Sequence, residues 1–280
     1  MMTHRQKAAF SRAAMICAIT VIAILYSYPV FLMFINSVKP FGEVVSDVIA
    51  LPRQLAFENY SQVMGRMNYS RLFVNNVVIT AVAIAGIIII SSFTAYILDR
   101  RSNKFTALAR LFLIMPMLIP FQTIMITLLK TMNVLKLSGS RVGLGIQYWG
   151  FGIPMAVFIY YNFMSTIPRE IDESAYMDGA GTLRTFASVI FPLLKPVTST
   201  IIVLNVMWIW NDFLLPLLMV NGSNETRTLI LAAYTFVGQF NTQWHYAMTS
   251  MVLAVVPSIV FFILFQKNII DGVVSGAIKG

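Results

Sequence analysis

Ser165–Lys195 reads STIPREIDESAYMDGAGTLRTFASVIFPLLK, a polar, charged interval between long apolar runs. Pro168 suits the first position of a helix, where its missing N–H costs nothing and its fixed φ is already helical. Glu170, Asp172 and Glu173 then fall in the first turns, where carboxylates favour the partial positive charge of a helix N-terminus. Ala175 and Gly179 are four residues apart and share one face, small enough for another surface to approach closely. Gly179 and Gly181 can take the left-handed conformation that ends a helix, and Thr182 can cap a second helix running toward Phe191. Pro192 and Pro196 close that helix and lead into the next apolar run. The interval therefore predicts a bent two-helix finger outside a bilayer, either a structural loop or a docking element.

The surrounding chain belongs in a membrane. It is 58% hydrophobic and 11% charged, with a mean hydropathy of +0.77, against about 25% charge in ordinary globular domains. A hydrocarbon core about 30 Å thick needs roughly 20 mostly apolar residues per helix. Six such runs stand out: 13–36, 72–98, 107–129, 148–164, 197–220 and 246–265. The first exceeds a signal-peptide core and lacks a small-residue cleavage site after it, which predicts a retained helix. The fourth carries Gly150, Gly152 and Pro154 near its start, tolerated where neighbouring helices satisfy the freed backbone groups. Residues 37–71 carry the short pattern LAFENYSQVM, read as one amphipathic surface helix, and residues 221–245 hold a turn and a short helix near 228–236. One integral membrane domain, 1–280, is the expected organisation.

The net charge of +9 does not indicate nucleic acid, because the basic residues lie near helix ends, where they set orientation. More than half of the 20 Lys and Arg residues fall in segments on the side of the N-terminus, so both termini are expected in the cytoplasm. Cys17 is the one cysteine, and His4 and His245 are far apart, which leaves no ligand spacing for a metal and no disulfide. No Gly-x-x-x-x-Gly-Lys-Ser/Thr loop occurs, so any ATP hydrolysis would fall to another subunit. No cofactor is expected.

Glu173, Ala175 and Gly179, followed by Val189, Phe191 and Pro192, resemble the Glu-Ala-Ala-x3-Gly-x9-Ile-x-Leu-Pro loop of permease subunits in binding-protein-dependent ABC importers. Ser174, Val189 and Phe191 are mild departures from that pattern. Trp210-Asn211-Asp212-Phe213 with Pro216 looks like the fifth helix of carbohydrate-importer permeases, and GVVSGAIKG (272–280) looks like their tail, with Val274 in place of threonine. The whole chain is similar to the smaller permease subunit of the maltose-type systems. The resemblance implies an all-α integral membrane protein with six transmembrane helices of the type I ABC importer permease fold, in the cell membrane of a prokaryote. It implies an ATPase-coupling role for Glu173, Ala175, Asp178, Gly179 and Pro192, and ATPase contact for the tail residues Gly276, Lys279 and Gly280. The implied partners are a second permease subunit, a cytoplasmic ATPase dimer and an extracytoplasmic sugar-binding protein, with no catalytic residues in this chain.

Polar residues within the runs are candidates for a translocation path. Trp208 offers a face for a sugar ring, and Asn205, Asn211 and Gln122 offer amides, though such residues also serve as packing and anchors. Asn75 and Asn76 carry the same two readings. Asp212 lines a path, is hydrated at the mouth, or pairs with Lys130 or Arg227. An ion-coupled secondary transporter is the alternative, but it would need several buried acids and two related halves, and only Asp212 fits. An intramembrane enzyme would need a nucleophile paired with a base, and no run holds one.

Overall fold

The computed structural model describes residues 4–101, 103–238 and 242–277, with side chains described from 12 to 267. In chain order the helices are α1 (His4–Ser37), α2 (Phe41–Ser46), α3 (Glu58–Met67), α4 (Tyr69–Arg100), α5 (Lys104–Ile114) and α6 (Phe121–Val134). Then follow α7 (Arg141–Met164), α8 (Glu170–Met177), α9 (Thr182–Thr185), α10 (Phe191–Leu193), α11 (Lys195–Asn211), α12 (Leu214–Val220), α13 (Leu229–Ala233) and α14 (Trp244–Ala277). Among the described residues there is no strand. Among the described residues four helices are long and apolar enough to cross a membrane, or up to six if each of two bent helix pairs counts as one span.

One bent pair falls where an apolar run promised a straight helix, and the other falls at the end of the finger, where Pro192 and Pro196 were expected to close one helix before the fifth run. The run 107–129 divides into Lys104–Leu118 and Phe121–Val134, which meet at 103°. The cause is local: Pro120 caps α6, and a proline drives its predecessor out of the helical region, so Ile119 is extended at ψ 116°. The run 197–220 is also divided. Ahead of that run Thr182–Leu193 meets α11 at 76°; within it α11 stops at Asn211, Asp212 is extended, and a separate α12 begins at Leu214.

By its contacts the chain forms two compact units, Met1–Tyr69 with Ala233–Ala254, and Ser70–Ala232 with Val255–Gly280. In the first, residues 37–71 form two short helices, α2 and α3, instead of one. They are tied to the end of α1 by side chains that answer backbone carbonyls. Asn59 donates to the carbonyls of Ser37 and Lys39 (3.1 and 2.9 Å), Asn36 to that of Val48 (2.8 Å), and buried Lys39 to that of Asp47 (3.0 Å). Thr249 of α14 donates to the same Ser37 carbonyl at 2.8 Å. The Asp47 carboxylate accepts from the N–H groups of Ala50 and Ile49, and these bonds hold its carboxyl below the ordinary value of 3.8. The apolar length of α1 is exposed, Tyr26 and Leu25 included, as a helix facing lipid or another chain would be.

The second unit is built on α4, α7 and α11, whose Ile79, Ile87, Leu144, Tyr160, Val197 and Ile201 form its core. Lipid offers no hydrophobic drive for helix pairing, so close approach at small residues takes its place. A Cβ on Gly86 would overlap the indole of Trp149, one on Gly145 would meet Val82, and one on Gly152 would meet Ile87. At this crossing the Trp149 indole N–H donates to the Val82 carbonyl at 3.0 Å. Ser91 of α4 reaches the Ile153 carbonyl at 3.5 Å, and Tyr160 of α7 shares a 2.8 Å hydrogen bond with Thr198 of α11.

Candidate functional site

The finger forms between Ser165 and Lys195 as two helical limbs. Its first limb is α8, which starts at Glu170, two residues after Pro168. The helix ends in a Schellman turn. Gly179 sits at φ +80°, its N–H bonds to the Tyr176 carbonyl and the Ala180 N–H to the Ala175 carbonyl, both at 3.0 Å. Gly179 is the residue this turn requires, because a side chain is strained at that φ although open space surrounds it. Gly181, by contrast, is extended at φ −75° and itself caps the second limb, so Thr182 is the first helical residue rather than the cap. That limb runs through α9, a π-helical segment Phe186–Ile190 and α10.

The predicted coupling residues separate into two groups. Glu173, Asp178, Gly179 and Pro192 are exposed, whereas Ala175 is 8% exposed and faces into the unit. Ala175 thus lets α8 lie close to its own chain. The outward tip is instead apolar: Met177 is 88% exposed, Leu183 70% and Tyr176 45%. Large apolar side chains presented beside carboxylates are the mark of an interaction surface. Sequence reading passed over them because a methionine and a leucine in a membrane chain attract no notice.

At its base the finger is latched. Asp172, 5% exposed, accepts from Tyr96 OH at 2.7 Å and from Arg100 Nε and Nη2 at 2.9 Å each. Arg100 also donates to Asp99 Oδ2 at 2.7 Å and to the Ile167 carbonyl at 3.2 Å, and Arg169 to the Asp99 carbonyl at 3.0 Å. Two guanidinium nitrogens meet Oδ2 and the phenol meets Oδ1, so both carboxylate oxygens of Asp172 are answered. Phe186 packs its ring against Phe93 and Tyr96 of α4, with centroids 5.1 and 5.3 Å apart. The finger base and the end of α4 are one polar and aromatic assembly. Only the helix N-terminal role of Asp172 was legible in sequence.

A cavity of about 580 Å³ opens between the turn after α5, α6, α7 and α11. Asn205 and Trp208, two of the predicted path residues, line it together with Gln147, which sequence reading missed. Asn205 donates to the Ile201 carbonyl at 2.9 Å, and its Oδ1 faces Gly152. Trp208 stacks edge-on against Tyr148 at 5.4 Å. Gln147 is 3% exposed, and neither its Oε1 nor its Nε2 has a partner among the described residues.

The remaining candidates lie elsewhere. Gln122 is exposed on α6 and is not among the residues that line the cavity. Asn211 donates to the Met207 carbonyl at 2.8 Å and accepts from Ser258 at 3.3 Å, tying α11 to α14. Asp212 accepts from Tyr148 OH at 2.8 Å and from the Leu214 N–H at 3.1 Å, so it anchors the break between α11 and α12. Neither Lys130 nor Arg227 is its partner; Arg227 donates to the Asn221 carbonyl. Asn75 donates to the carbonyls of Glu225 and Arg227, both at 2.9 Å, and Asn76 accepts from the Leu229 N–H at 2.9 Å, so both pin the 221–229 loop to α4. Of the tail, Gly276 lies on α14, while Lys279 and Gly280 are outside the described residues. Among the described residues no group of three or more His, Cys, Asp or Glu is placed to hold a metal.

Residues 87–274 match the family described as binding-protein-dependent transport system inner membrane component. Over 259 residues the chain is 36% identical to the probable starch degradation products transport system permease protein of Thermoanaerobacterium thermosulfurigenes, covering 92% of this chain and 94% of that one. It is 32% identical to the melibiose/raffinose/stachyose import permease protein of Bacillus subtilis, covering 93% and 94%. The fold is similar, at a TM-score of 0.79 and 20% identity, to a chain of a bacterial ABC transporter involved in the import of the acidic polysaccharide alginate, over 95% of this chain and 98% of that one.

Proposed function

The chain belongs to the inner membrane components of binding-protein-dependent transport systems, and from that premise we propose that it is one permease subunit of an ATP-driven sugar importer. As one permease domain, 1–280, it forms half of the translocation path beside a second permease subunit. A separate ATPase dimer docks on the 165–196 finger, and an extracytoplasmic binding protein delivers the sugar. The finger and both termini then face the cytoplasm. The chain is a transport permease and not an enzyme, like its relatives.

The observation that carries this reading is the finger: an apolar tip of Met177 and Leu183, rimmed by Glu173 and Asp178, on a base held by Asp172 and Arg100. A mobile loop would absorb a push. A latched one passes it on, by two routes. Through Phe186 it reaches α4, and along the second limb and its 76° bend it reaches α11, which carries Asn205 and Trp208. ATP acts by binding the closed ATPase pair better than the open one, and the finger transmits that preference to the permease pair.

The test is co-purification of the full-length chain from native membranes in mild detergent, wild type against Met177→Asp/Leu183→Asp. Both substitutions lie on exposed positions, so folding and membrane insertion are expected to persist. Recovery of an ATPase and a second permease with wild type, and loss of the ATPase alone with the variant, supports the reading. A chain that purifies alone and moves solute down an ion gradient overturns it.

A further inference from the structure

We propose that Gln147, with Asn205 and Trp208, forms a binding subsite for an uncharged, polyhydroxylated ligand within this chain's own cavity, and that Gln147 is its specificity-determining residue. The inference rests on the transport reading above and assigns a substrate class to this subunit's share of the path.

Three observations converge on it. The first is the amide of Gln147. It is almost fully buried, lines the cavity, and among the described residues has no partner for either its acceptor or its two donors. Buried polar groups are ordinarily satisfied, and in a membrane-spanning helix an unanswered one is costlier still. A side chain kept there against that cost is explained by a ligand that answers it. The second is the company it keeps. Asn205 spends one of its two donors on the Ile201 carbonyl, and its Oδ1 is turned as an acceptor toward Gly152. A Cβ at Gly152 would crowd this oxygen. Trp208 is 42% exposed and supplies an aromatic face at the same cavity. Amide donors and acceptors beside an aromatic plane match a ring that carries hydroxyls on its edge and C–H groups on its face.

The third observation is the absence of charge. Among the described residues no Lys, Arg, His, Asp or Glu lines this cavity; its remaining lining is apolar, including Met117, Phe121 and Phe151. A carboxylated or phosphorylated ligand would be desolvated there with no counter-charge, at prohibitive cost. A neutral one needs only hydrogen bonds. At about 580 Å³ the cavity lies within the roughly 300–1,000 Å³ range of small-molecule sites. A lipid chain would fill the space but leave the amide unanswered.

The decisive variant is Gln147→Leu in the full transporter with its partner subunits, reconstituted in proteoliposomes. Uptake is measured with radiolabelled maltotriose and raffinose, with an oligomannuronate as the anionic competitor. Because leucine removes an unpaired buried amide, the variant is expected to melt at the same temperature as wild type or higher, whereas a residue with a structural role would melt lower. Uptake of whichever neutral sugar wild type carries is expected to show a KM raised about tenfold, and the oligomannuronate is expected not to compete. Asn205→Leu should raise the same KM in the same sugar. Unchanged KM in Gln147→Leu, effective competition by the oligomannuronate, or loss of the second permease from the purified variant each overturns the subsite. A complex with no ATP-dependent uptake of any sugar in wild type overturns the transport reading itself.

Discussion

The finger base and the cavity hold buried polar side chains of similar size, and they treat them in opposite ways. At the base, both oxygens of Asp172 are bonded, and Arg100 reaches Asp172, Asp99 and the Ile167 carbonyl. In the cavity, Gln147 is as deeply buried and unpaired among the described residues. A satisfied network fixes one geometry, which suits a part that transmits force. An unsatisfied group has a geometry completed from outside, which suits a part that binds. The two regions share one mechanical frame, since the finger's second limb leads into α11 and its rings pack on α4.

The contrast breaks first at Arg100. Arg100→Met leaves Asp172 and Asp99 buried without their cation, and loss of one partner of a buried pair costs about 3–5 kcal/mol. The expected outcome is a large fall in the melting temperature of the purified transporter, together with loss of sugar-stimulated ATP hydrolysis. The double variant Arg100→Met/Asp172→Leu removes one of the stranded carboxylates and should recover part of that loss. A double variant no more stable than Arg100→Met would mean that Arg100 and Asp172 do not act as a pair. Gln147→Leu, at equal burial, is expected to be neutral or stabilising, and a fall comparable to that of Arg100→Met would abolish the distinction.

Gly86→Ala tests the α4–α7 crossing, outside the cavity lining, without touching either network. The added methyl overlaps the Trp149 indole, which is held by its bond to the Val82 carbonyl and cannot swing away freely. Overpacking of this kind costs about 1–3 kcal/mol. The shift is borne by α7, which carries Gln147, so transport KM should rise while ATPase co-purification is unchanged. Gly86→Ala/Trp149→Phe frees space and should recover the KM. Failure to recover would place the strain elsewhere in the α4–α7 crossing.

Much of this was readable in advance, and the gaps have physical causes. Composition and run length are bulk properties, so the all-α membrane fold and the latched finger's outline follow from residues such as Pro168, Gly179 and Pro192. The bends are local: the run 107–129 has the apolar length of one helix, and only the backbone restriction imposed by Pro120 divides it. Asn75, Asn76 and Asn211 could have lined a path or tied helices, and sequence cannot decide, because the choice depends on which carbonyl the fold brings near. Gln147 was missed for the converse reason. Its signal is the lack of a partner, visible only once every neighbour is in place.

Gly179 sharpens the comparison from the finger's tip. At φ +80° an alanine costs about 1–2 kcal/mol, while asparagine tolerates the left-handed region better. Open space around the position means that neither is excluded by contact within the chain. If the residue serves only the Schellman turn, Gly179→Asn should couple to the ATPase nearly as wild type does and Gly179→Ala less well. If the ATPase seats directly against it, both should lower coupled hydrolysis. Either result leaves the KM for sugar unchanged, because the cavity is untouched.

The smallest expected effect belongs to Asp47, an exposed carboxylate that answers backbone N–H groups as Asp172 answers side chains. Its folded pKa lies below 3.8 because the Ala50 and Ile49 N–H groups, in that order, favour the charged form. A depressed carboxyl pKa contributes stability that is present above the unfolded value and is lost as pH falls through the still lower folded value. Asp47→Asn keeps the shape and an acceptor oxygen but removes the charge. Wild type should therefore melt slightly above the variant near neutral pH, and the difference should close only as the pH falls below 3.8. A difference for Asp47→Asn that stays constant down the titration would show that the N–H groups hold the turn without help from the charge, and the parallel with Asp172 would fail at the surface while standing in the interior.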